Sequence, residues 1–285
     1  MLEKLAQSVA ARISPRPSAS PVVIAVTSPY GSAGKTTVAI NLALELAAEK
    51  ARVLLIDADT QGPAVANHFL LSEQPAGFAA ALRIAGQQRF DLEQLERLSF
   101  QFQKTTLRIM PGSQSFPNGP LELPSIATIL ETARSGFEYT VLDLGCITEE
   151  SVSTQAVLTR SLISLADRTI LVSLADPIGL FRLLSAEQQV SGFASPPDLL
   201  MNRVRNSVIA SARREIGITL QRLSTLEPKA YLPDDPQHID QAVRTGVPAS
   251  SLSRTGTFRQ ALTGYVRAEL LGRKGQLDSR VAKLG

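Results

Sequence analysis

Short apolar runs alternate along the chain with longer segments that have helical periodicity. The first run, residues 21–27, precedes a segment of helical character over residues 38–47. Apolar runs predict six further strands, at residues 52–56, 107–110, 139–142, 169–173, 198–201 and 230–232. Helical patterns lie between them, among others at residues 121–133, 152–166, 180–190 and 239–244. Wholly apolar strands that alternate with helices predict an α/β fold, with a mostly parallel sheet covered by helices on both faces.

The same pattern divides the chain into three parts. Residues 1–13 predict an amphipathic helix with four apolar residues on one stripe: Leu2, Leu5, Val9 and Ile13. A linker rich in Pro and Ser follows. We therefore predict an N-terminal segment over 1–20, one α/β domain over 21–270 and a basic tail over 271–285. The first helix is expected to fold back on the domain or to fray, and binding to a membrane surface is the alternative.

Composition favours a globular protein of the cytoplasm. The 285 residues are 44% apolar and 19% charged. A single cysteine, Cys146, excludes an internal disulfide and suits a reducing compartment. No apolar stretch reaches the roughly 18 residues of a membrane span, and the N-terminus is too polar for a signal peptide. Peripheral attachment to the inner face of the plasma membrane is the alternative location.

Charge is distributed unevenly, although the net charge is only +3. Residues 57–150 carry twelve acidic and six basic side chains. Residues 203–222 have a net charge of +4, and residues 254–285 have +5. A basic C-terminal region could face non-specific DNA, anionic lipid or an acidic partner. The simpler interpretation is a solvated helix face.

The strongest chemical signal follows the first predicted strand, where residues 31–37 read Gly-Ser-Ala-Gly-Lys-Thr-Thr. Small residues let backbone N–H groups converge on an anion, and the dipole of the following helix favours negative charge. In such a loop Lys35 reaches the outer phosphates and Thr36 holds Mg²⁺. The strict pattern has glycine at position 29, where this chain has Pro29. The residues predicted to bind phosphate are Gly31, Ser32, Ala33, Gly34, Lys35, Thr36 and Thr37.

Acidic residues follow two further predicted strands. Asp57 and Asp59 come after the second strand, and Asp143 follows the fourth. Ligands bind beyond the carboxyl ends of parallel strands, so these side chains are expected near the glycine-rich loop. There a carboxylate can support Mg²⁺ or orient an attacking water. Each acid alone could instead cap a helix or a turn.

Together these motifs resemble the MinD/ParA class of phosphate-loop ATPases, over roughly residues 20–270. The loop resembles that of the class, residues 53–62 look like its switch segment, and residues 139–145 look like its second acidic motif. Residues 199–203 resemble the strand whose asparagine reads adenine, and residues 232–246 resemble the loop and helix that close over the base. The segments Asp176-Pro-Ile-Gly and Asn202-Arg-Val-Arg look most like the CpaE/TadZ branch, especially actinobacterial CpaE-like proteins.

The resemblance implies a P-loop NTPase fold of the MinD/ParA type, with ATP and Mg²⁺ as cofactors. It also implies a role for each site residue. Asp59 would position the attacking water, and Asn202 would hydrogen-bond the adenine edge. The implied residues are Lys35 and Asp59 for catalysis, Thr36, Asp57 and Asp143 for the metal, and Asn202, Pro233 and Asp235 for the base.

The function implied is slow, Mg²⁺-dependent ATP hydrolysis, stimulated by an unidentified protein partner. Hydrolysis would control an ATP-dependent homodimer and the positioning of a pilus, a secretion machine or a division site. The class has a signature lysine early in the loop, and this chain has Tyr30 there. Two alternatives therefore stay open: a scaffold that binds nucleotide without turnover, and a DNA-segregation ATPase that uses the basic C-terminal faces.

Overall fold

The structure is a computed structural model that describes residues 20–71, 77–113, 123–147 and 153–273. The predicted N-terminal helix, most of its linker and nearly all of the basic tail lie outside the described residues. The predicted boundaries of the α/β domain therefore stay a prediction.

One sheet contains all the strands of the described residues. They are β1 (Val22–Ser28), β2 (Val53–Asp57), β3 (Phe100–Gln101), β4 (Leu107–Met110), β5 (Tyr139–Cys146), β6 (Arg168–Leu174), β7 (Asp198–Val204) and β8 (Pro228–Pro233). Their order in the sheet is β3-β4-β2-β5-β1-β6-β7-β8. All neighbours are parallel except β3 and β4, which are antiparallel. The predicted mostly parallel sheet is confirmed. The short strand β3 was not among the predicted strands.

Helices connect these strands. They are α1 (Lys35–Ala48), α2 (Val65–His68), α3 (Gly77–Gly86), α4 (Leu92–Arg97), α5 (Leu123–Gly136), α6 (Thr154–Leu165), α7 (Pro177–Ser185), α8 (Glu187–Ser191), α9 (Ala212–Leu223), α10 (Pro236–Thr245), α11 (Ala249–Leu252) and α12 (Thr257–Tyr265). A π-helical turn, Val266–Leu270, continues α12. The helix predicted over 180–190 is two helices, since α7 ends at Ser185 and α8 begins at Glu187. The helix α7 begins earlier than predicted, because Asp176 caps it by accepting a hydrogen bond from Gly179 N–H at 2.7 Å.

The sheet separates two apolar cores. Successive residues of a strand point to opposite faces, so Val23 and Ala25 join one core while Ile24 and Val26 join the other. The helices α1 and α12 cover the second face, and α3, α5, α6, α7 and α9 cover the first. This arrangement confirms the predicted covering of both faces.

Helix α1 is buried along most of its length, and polar contacts fix its neighbours on it. The buried Glu45 carboxylate accepts a hydrogen bond from Arg259 Nε at 2.7 Å, which ties α12 to α1. The Asn41 side-chain oxygen accepts from Ser250 N–H at 2.8 Å, which ties α11 to α1. Because α1 is clamped from two sides, its first turn is held rigidly at the carboxyl edge of the sheet.

Two glycines at the ends of α3 give a matched stability test. Gly77 has φ +60°, and a Cβ built there would lie 2.0 Å from the Pro111 carbonyl oxygen. An L residue pays about 1–2 kcal/mol for that backbone conformation, before the clash is counted. We expect Gly77→Ala to lower the free energy of unfolding by at least about 2 kcal/mol in urea titrations.

Gly86→Ala is the control. Its Cβ would meet Ser125 Oγ at an ordinary 3.5 Å, so this variant should gain roughly 0.4–1 kcal/mol. Equal effects of the two substitutions would contradict the backbone described at Gly77.

Candidate functional site

The predicted phosphate loop connects β1 to α1 at the carboxyl edge of the sheet. Ser32 and Gly34 have φ values of +66° and +88°, so the loop turns sharply before the first helical residue, Lys35. Beside it, Asp57 of β2 and Asp143 of β5 are partners in the parallel register. The fold therefore brings the predicted lysine and three predicted acids to one place.

Lys35 and Asp59 form an ion pair inside this site. Lys35 Nζ lies 3.0 Å from Asp59 Oδ2, and the two side chains are only 12% and 11% exposed. Burial alone lowers the pKa of Lys35, but the nearby carboxylates of Asp143 and Asp59 outweigh it, so the pKa lies above its ordinary value. Lys35 is therefore a fixed positive charge at neutral pH.

The Asp59 carboxylate also organises the segment that follows β2. Its Oδ1 accepts hydrogen bonds from Gln61 N–H at 3.2 Å and Gly62 N–H at 3.1 Å. The segment from Asp59 to Gly62 thus wraps around the carboxylate that pairs with Lys35. The carboxylate therefore contacts Lys35 through one oxygen and the following backbone through the other.

The other two acids are buried in the sheet edge. Burial raises the pKa of Asp57 to about 6. Hydrogen bonds from Val65 N–H at 3.0 Å and Asp59 N–H at 3.3 Å act in the opposite direction, because they stabilise the ionised carboxylate. Asp143 is fully buried, and neither of its carboxylate oxygens has a hydrogen-bond partner. Burial, followed by the charge of Asp57, raises the pKa of Asp143 well above its ordinary value.

These residues fit a magnesium ion. Mg²⁺ binds proteins through one or two carboxylates and completes its shell with water and phosphate oxygens. Asp57 and Asp143 supply carboxylates, and the Thr36 hydroxyl lies close enough to Asp143 to oppose the rise in its pKa. Within the described ranges no three His, Cys, Asp or Glu side chains group as a metal centre made by protein alone. The chemistry of the site therefore suits a metal that arrives with a phosphate ligand.

Two residues at this site were not predicted from the sequence. Gly112 follows β4, and a Cβ built there would lie 2.8 Å from Asp57 Cγ, so only glycine leaves that carboxylate in place. Gln155 of α6 accepts hydrogen bonds from the Thr60 N–H at 2.7 Å and from the Thr60 hydroxyl. Its amide nitrogen donates to Thr159 Oγ1 at 3.0 Å, so Gln155 links the segment after β2 to α6.

A cavity of about 220 Å³ adjoins the phosphate loop on the side of β7 and β8. Its lining includes Gly34, Thr37, Asn202, Pro233 and Asp235, so the predicted base residues do gather beside the loop. The Asp235 carboxylate, however, faces neighbouring elements: it caps α10 and accepts from Phe258 N–H at 3.2 Å. The contribution of Asp235 to the cavity is thus to hold α10 and α12 together.

Tyr30, at the position of the signature lysine, is turned into the protein. It is buried, and its hydroxyl accepts a hydrogen bond from Leu174 N–H at 3.0 Å. The guanidinium of the exposed Arg182 lies 4.9 Å from the centre of its ring. Tyr30 therefore links the loop to β6 by a hydrogen bond, and the Arg182 guanidinium lies over its ring.

With this geometry in place, comparison with known proteins identifies the family. Residues 24–207 match the profile described as the CobQ/CobB/MinD/ParA nucleotide binding domain. Because the match covers more than half of the chain, the chain belongs to this family. An iron-sulfur cluster carrier protein of Deinococcus radiodurans is 28% identical over 185 residues, which are 61% of this chain and 50% of that protein. The chain spans half or less of the length of the curated relatives it matches.

Solved structures of the same class confirm the predicted P-loop NTPase fold. The MinC:MinD cell division protein complex of Aquifex aeolicus gives a TM-score of 0.71 at 19% identity, over 90% of this chain and 98% of that chain. The septum site-determining protein MinD of Pyrococcus horikoshii, complexed with Mg-ADP, gives 0.68 at 18% identity, over 90% and 100%. In the part of the chain that the structure describes, no helix is long and apolar enough to cross a bilayer.

The burial of Asp143 predicts an effect on the free energy of unfolding that depends on pH. Its raised pKa means that the folded chain holds a proton there more tightly than the unfolded chain, so ionisation at neutral pH destabilises the fold. In EDTA at pH 7.5, we expect Asp143→Asn to raise the free energy of unfolding by about 1–3 kcal/mol. The gain should be smaller at pH 5, because a lower pH favours the protonated carboxyl of the native chain.

Urea titrations at the two pH values measure this gain. Glu93→Gln, an exposed substitution on α4, should change stability by less than about 0.5 kcal/mol at both. A variant that is less stable than the native chain at pH 7.5, or a gain independent of pH, would refute this description of Asp143.

Proposed function

We propose that this chain binds ATP with Mg²⁺ at the carboxyl edge of its sheet and hydrolyses it slowly. The observation that supports this most is the Lys35–Asp59 ion pair beside Asp57 and Asp143, directly under a glycine-rich loop at a helix N-terminus. The carboxylates fit a divalent metal ion, and Lys35 with the helix N-terminus fits the phosphates that such a metal accompanies.

Each residue has a role in the proposed reaction. Lys35, the loop from Gly31 to Gly34 and the hydroxyls of Thr36 and Thr37 hold the phosphates. Thr36, Asp57 and Asp143 hold Mg²⁺, which neutralises the charge of the phosphate oxygens. Asn202, Pro233 and Asp235 form the wall of the base cavity.

Asp59 has a further role because it forms the ion pair with Lys35. A phosphate oxygen that binds Lys35 replaces Asp59 as the partner of that cation. The carboxylate is then released to orient the water that attacks the terminal phosphorus. Binding and preparation of the nucleophile are thus coupled through one ion pair.

The finer proposal concerns what the nucleotide state controls. We propose that the bound nucleotide controls homodimerisation and the recruitment of a protein partner. We also propose that the chain is a CpaE/TadZ-like member of its family. Its role would be to position a pilus, a secretion machine or a division site. Two observations support a nucleotide-binding protein that acts with a protein partner: the family match, and a similar structure that was solved as a complex of MinD with MinC. The buried Tyr30 favours slow turnover, because an uncharged side chain that points into the protein replaces the signature lysine.

DNA segregation is the second candidate function. The end of β7, the loop after it and the start of α9 expose four arginines: Arg203, Arg205, Arg213 and Arg214. Such a surface can bind the DNA backbone without sequence preference. The spatial role at a pilus or division site is preferred, because one of these arginines, Arg205, lies 3.7 Å from the Asp234 carboxylate and is partly neutralised.

Removal of the buried lysine tests nucleotide binding. We expect Lys35→Ala to weaken the affinity for a fluorescent ATP analogue, in the presence of Mg²⁺, by at least about tenfold, because a charge-assisted contact with phosphate is lost. Lys104→Ala, which removes an exposed lysine elsewhere, should bind as the native chain does. Equal affinities of the two variants would reject Lys35 as the phosphate contact.

Replacement of Asp59 tests turnover separately from binding. Asp59→Asn keeps the shape of the side chain but cannot act as a base, so phosphate release should fall by about 10²–10⁴. ATP affinity should be kept or raised, because the group that competes for Lys35 has lost its charge. Glu215→Gln on α9 is the matched control. Unchanged turnover in Asp59→Asn would exclude this role. ATP binding without turnover in the native chain would instead favour the scaffold alternative.

A further inference from the structure

The side-chain amide of Asn202 is bonded to the phosphate loop itself. Asn202 lies in β7 and is only 5% exposed. Its Nδ2 donates to the Ala33 carbonyl oxygen at 2.9 Å, and its Oδ1 accepts from the Arg203 N–H at 2.9 Å. The amide thus uses one of its two N–H donors on the phosphate loop and one of the two lone pairs of its oxygen on the backbone of β7.

The phosphate loop is shaped to receive this amide. A Cβ built on Gly34 would lie 2.5 Å from Asn202 Nδ2, so a side chain there would push the amide out. Gly34 also has φ +88°, which L residues rarely adopt. The glycine thus serves the contact with Asn202 as well as the turn.

The bond to Ala33 fixes more than one atom of the loop. In a trans peptide the carbonyl and the following N–H point in opposite directions within one rigid plane. Because Asn202 holds the Ala33 carbonyl towards β7, the Gly34 N–H is held pointing away from it. That N–H belongs to the set of backbone donors that the proposed phosphate site needs.

We infer that Asn202 is a positioning residue of the phosphate loop, and that its main contribution to nucleotide affinity does not depend on the base. The inference rests on the proposed nucleotide site. It assigns to Asn202 a different role from that of an adenine reader, because the amide acts through Ala33 and Gly34.

Comparison of ATP with inorganic triphosphate separates the two roles. In calorimetric titrations with Mg²⁺, Asn202→Ala should lose affinity for both ligands by a similar factor, at least about fivefold, so that the ratio of the two affinities is unchanged. Loss for ATP with native affinity for triphosphate would overturn the inference in favour of base reading, and native affinity for both would overturn it outright. Asn206→Ala, four residues along, is the control; its Oδ1 accepts from Ala212 N–H at the start of α9.

Hydrogen–deuterium exchange without nucleotide gives a second readout. Amide exchange in a peptide that covers residues 29–40 should be faster in Asn202→Ala than in the native chain and unchanged in Asn206→Ala. Asn202→Ser repeats the comparison if the alanine variant does not fold. Unchanged amide exchange in Asn202→Ala would refute the proposal that Asn202 holds the phosphate loop. If the native chain binds neither ATP nor triphosphate, the proposed function fails, and the exchange experiment still decides whether Asn202 holds the loop.

Discussion

Three buried acids grouped around one lysine at the carboxyl edge of the sheet dominate the chemistry of this chain. Asp57 and Asp143 are in register on adjacent strands and almost fully buried, and Asp59 lies next to them. Lys35 lies 3.0 Å from Asp59. Neither carboxylate oxygen of Asp143 has a hydrogen-bond partner, and such a buried acid destabilises a fold, so the cluster is best understood as preparation for a metal cation. The proposed magnesium site follows from these carboxylates, and the proposed phosphate site follows from Lys35 and the N-terminus of α1.

The fold supplies the rigidity that such a site requires. Parallel strands deliver the ends of β1, β2 and β5 to one edge, and α1 is clamped by Glu45–Arg259 and Asn41–Ser250 so that its first turn stays there. More distant elements complete the site: Gln155 holds the segment that contains Asp59, and Asn202 holds the loop that precedes Lys35. The binding loop is thus fixed by contacts from both sides of the strand that carries it.

The sequence was sufficient to predict the sheet class and to predict that the glycine-rich loop and the three acids lie together. Each has a local signal: an apolar run, a glycine turn or an acid after a strand. Predicted strand 139–142 was too short, since Asp143 looks like a strand end although it lies within β5. Gly112 and Gln155 could not be predicted, because their roles depend on contacts with Asp57 and Thr60 far away in sequence. The inward direction of Tyr30 likewise depends on a hydrogen bond from Leu174 of β6.

Calorimetric titration of the native chain with ATP, once with Mg²⁺ and once with EDTA, tests the proposed metal–nucleotide site most directly. We expect one nucleotide per chain with a micromolar dissociation constant in Mg²⁺, which corresponds to about −8 kcal/mol, and a much weaker interaction in EDTA. No heat with millimolar ATP in the presence of Mg²⁺, or equal affinity under both conditions, would show that the buried acids do not serve a metal–nucleotide site.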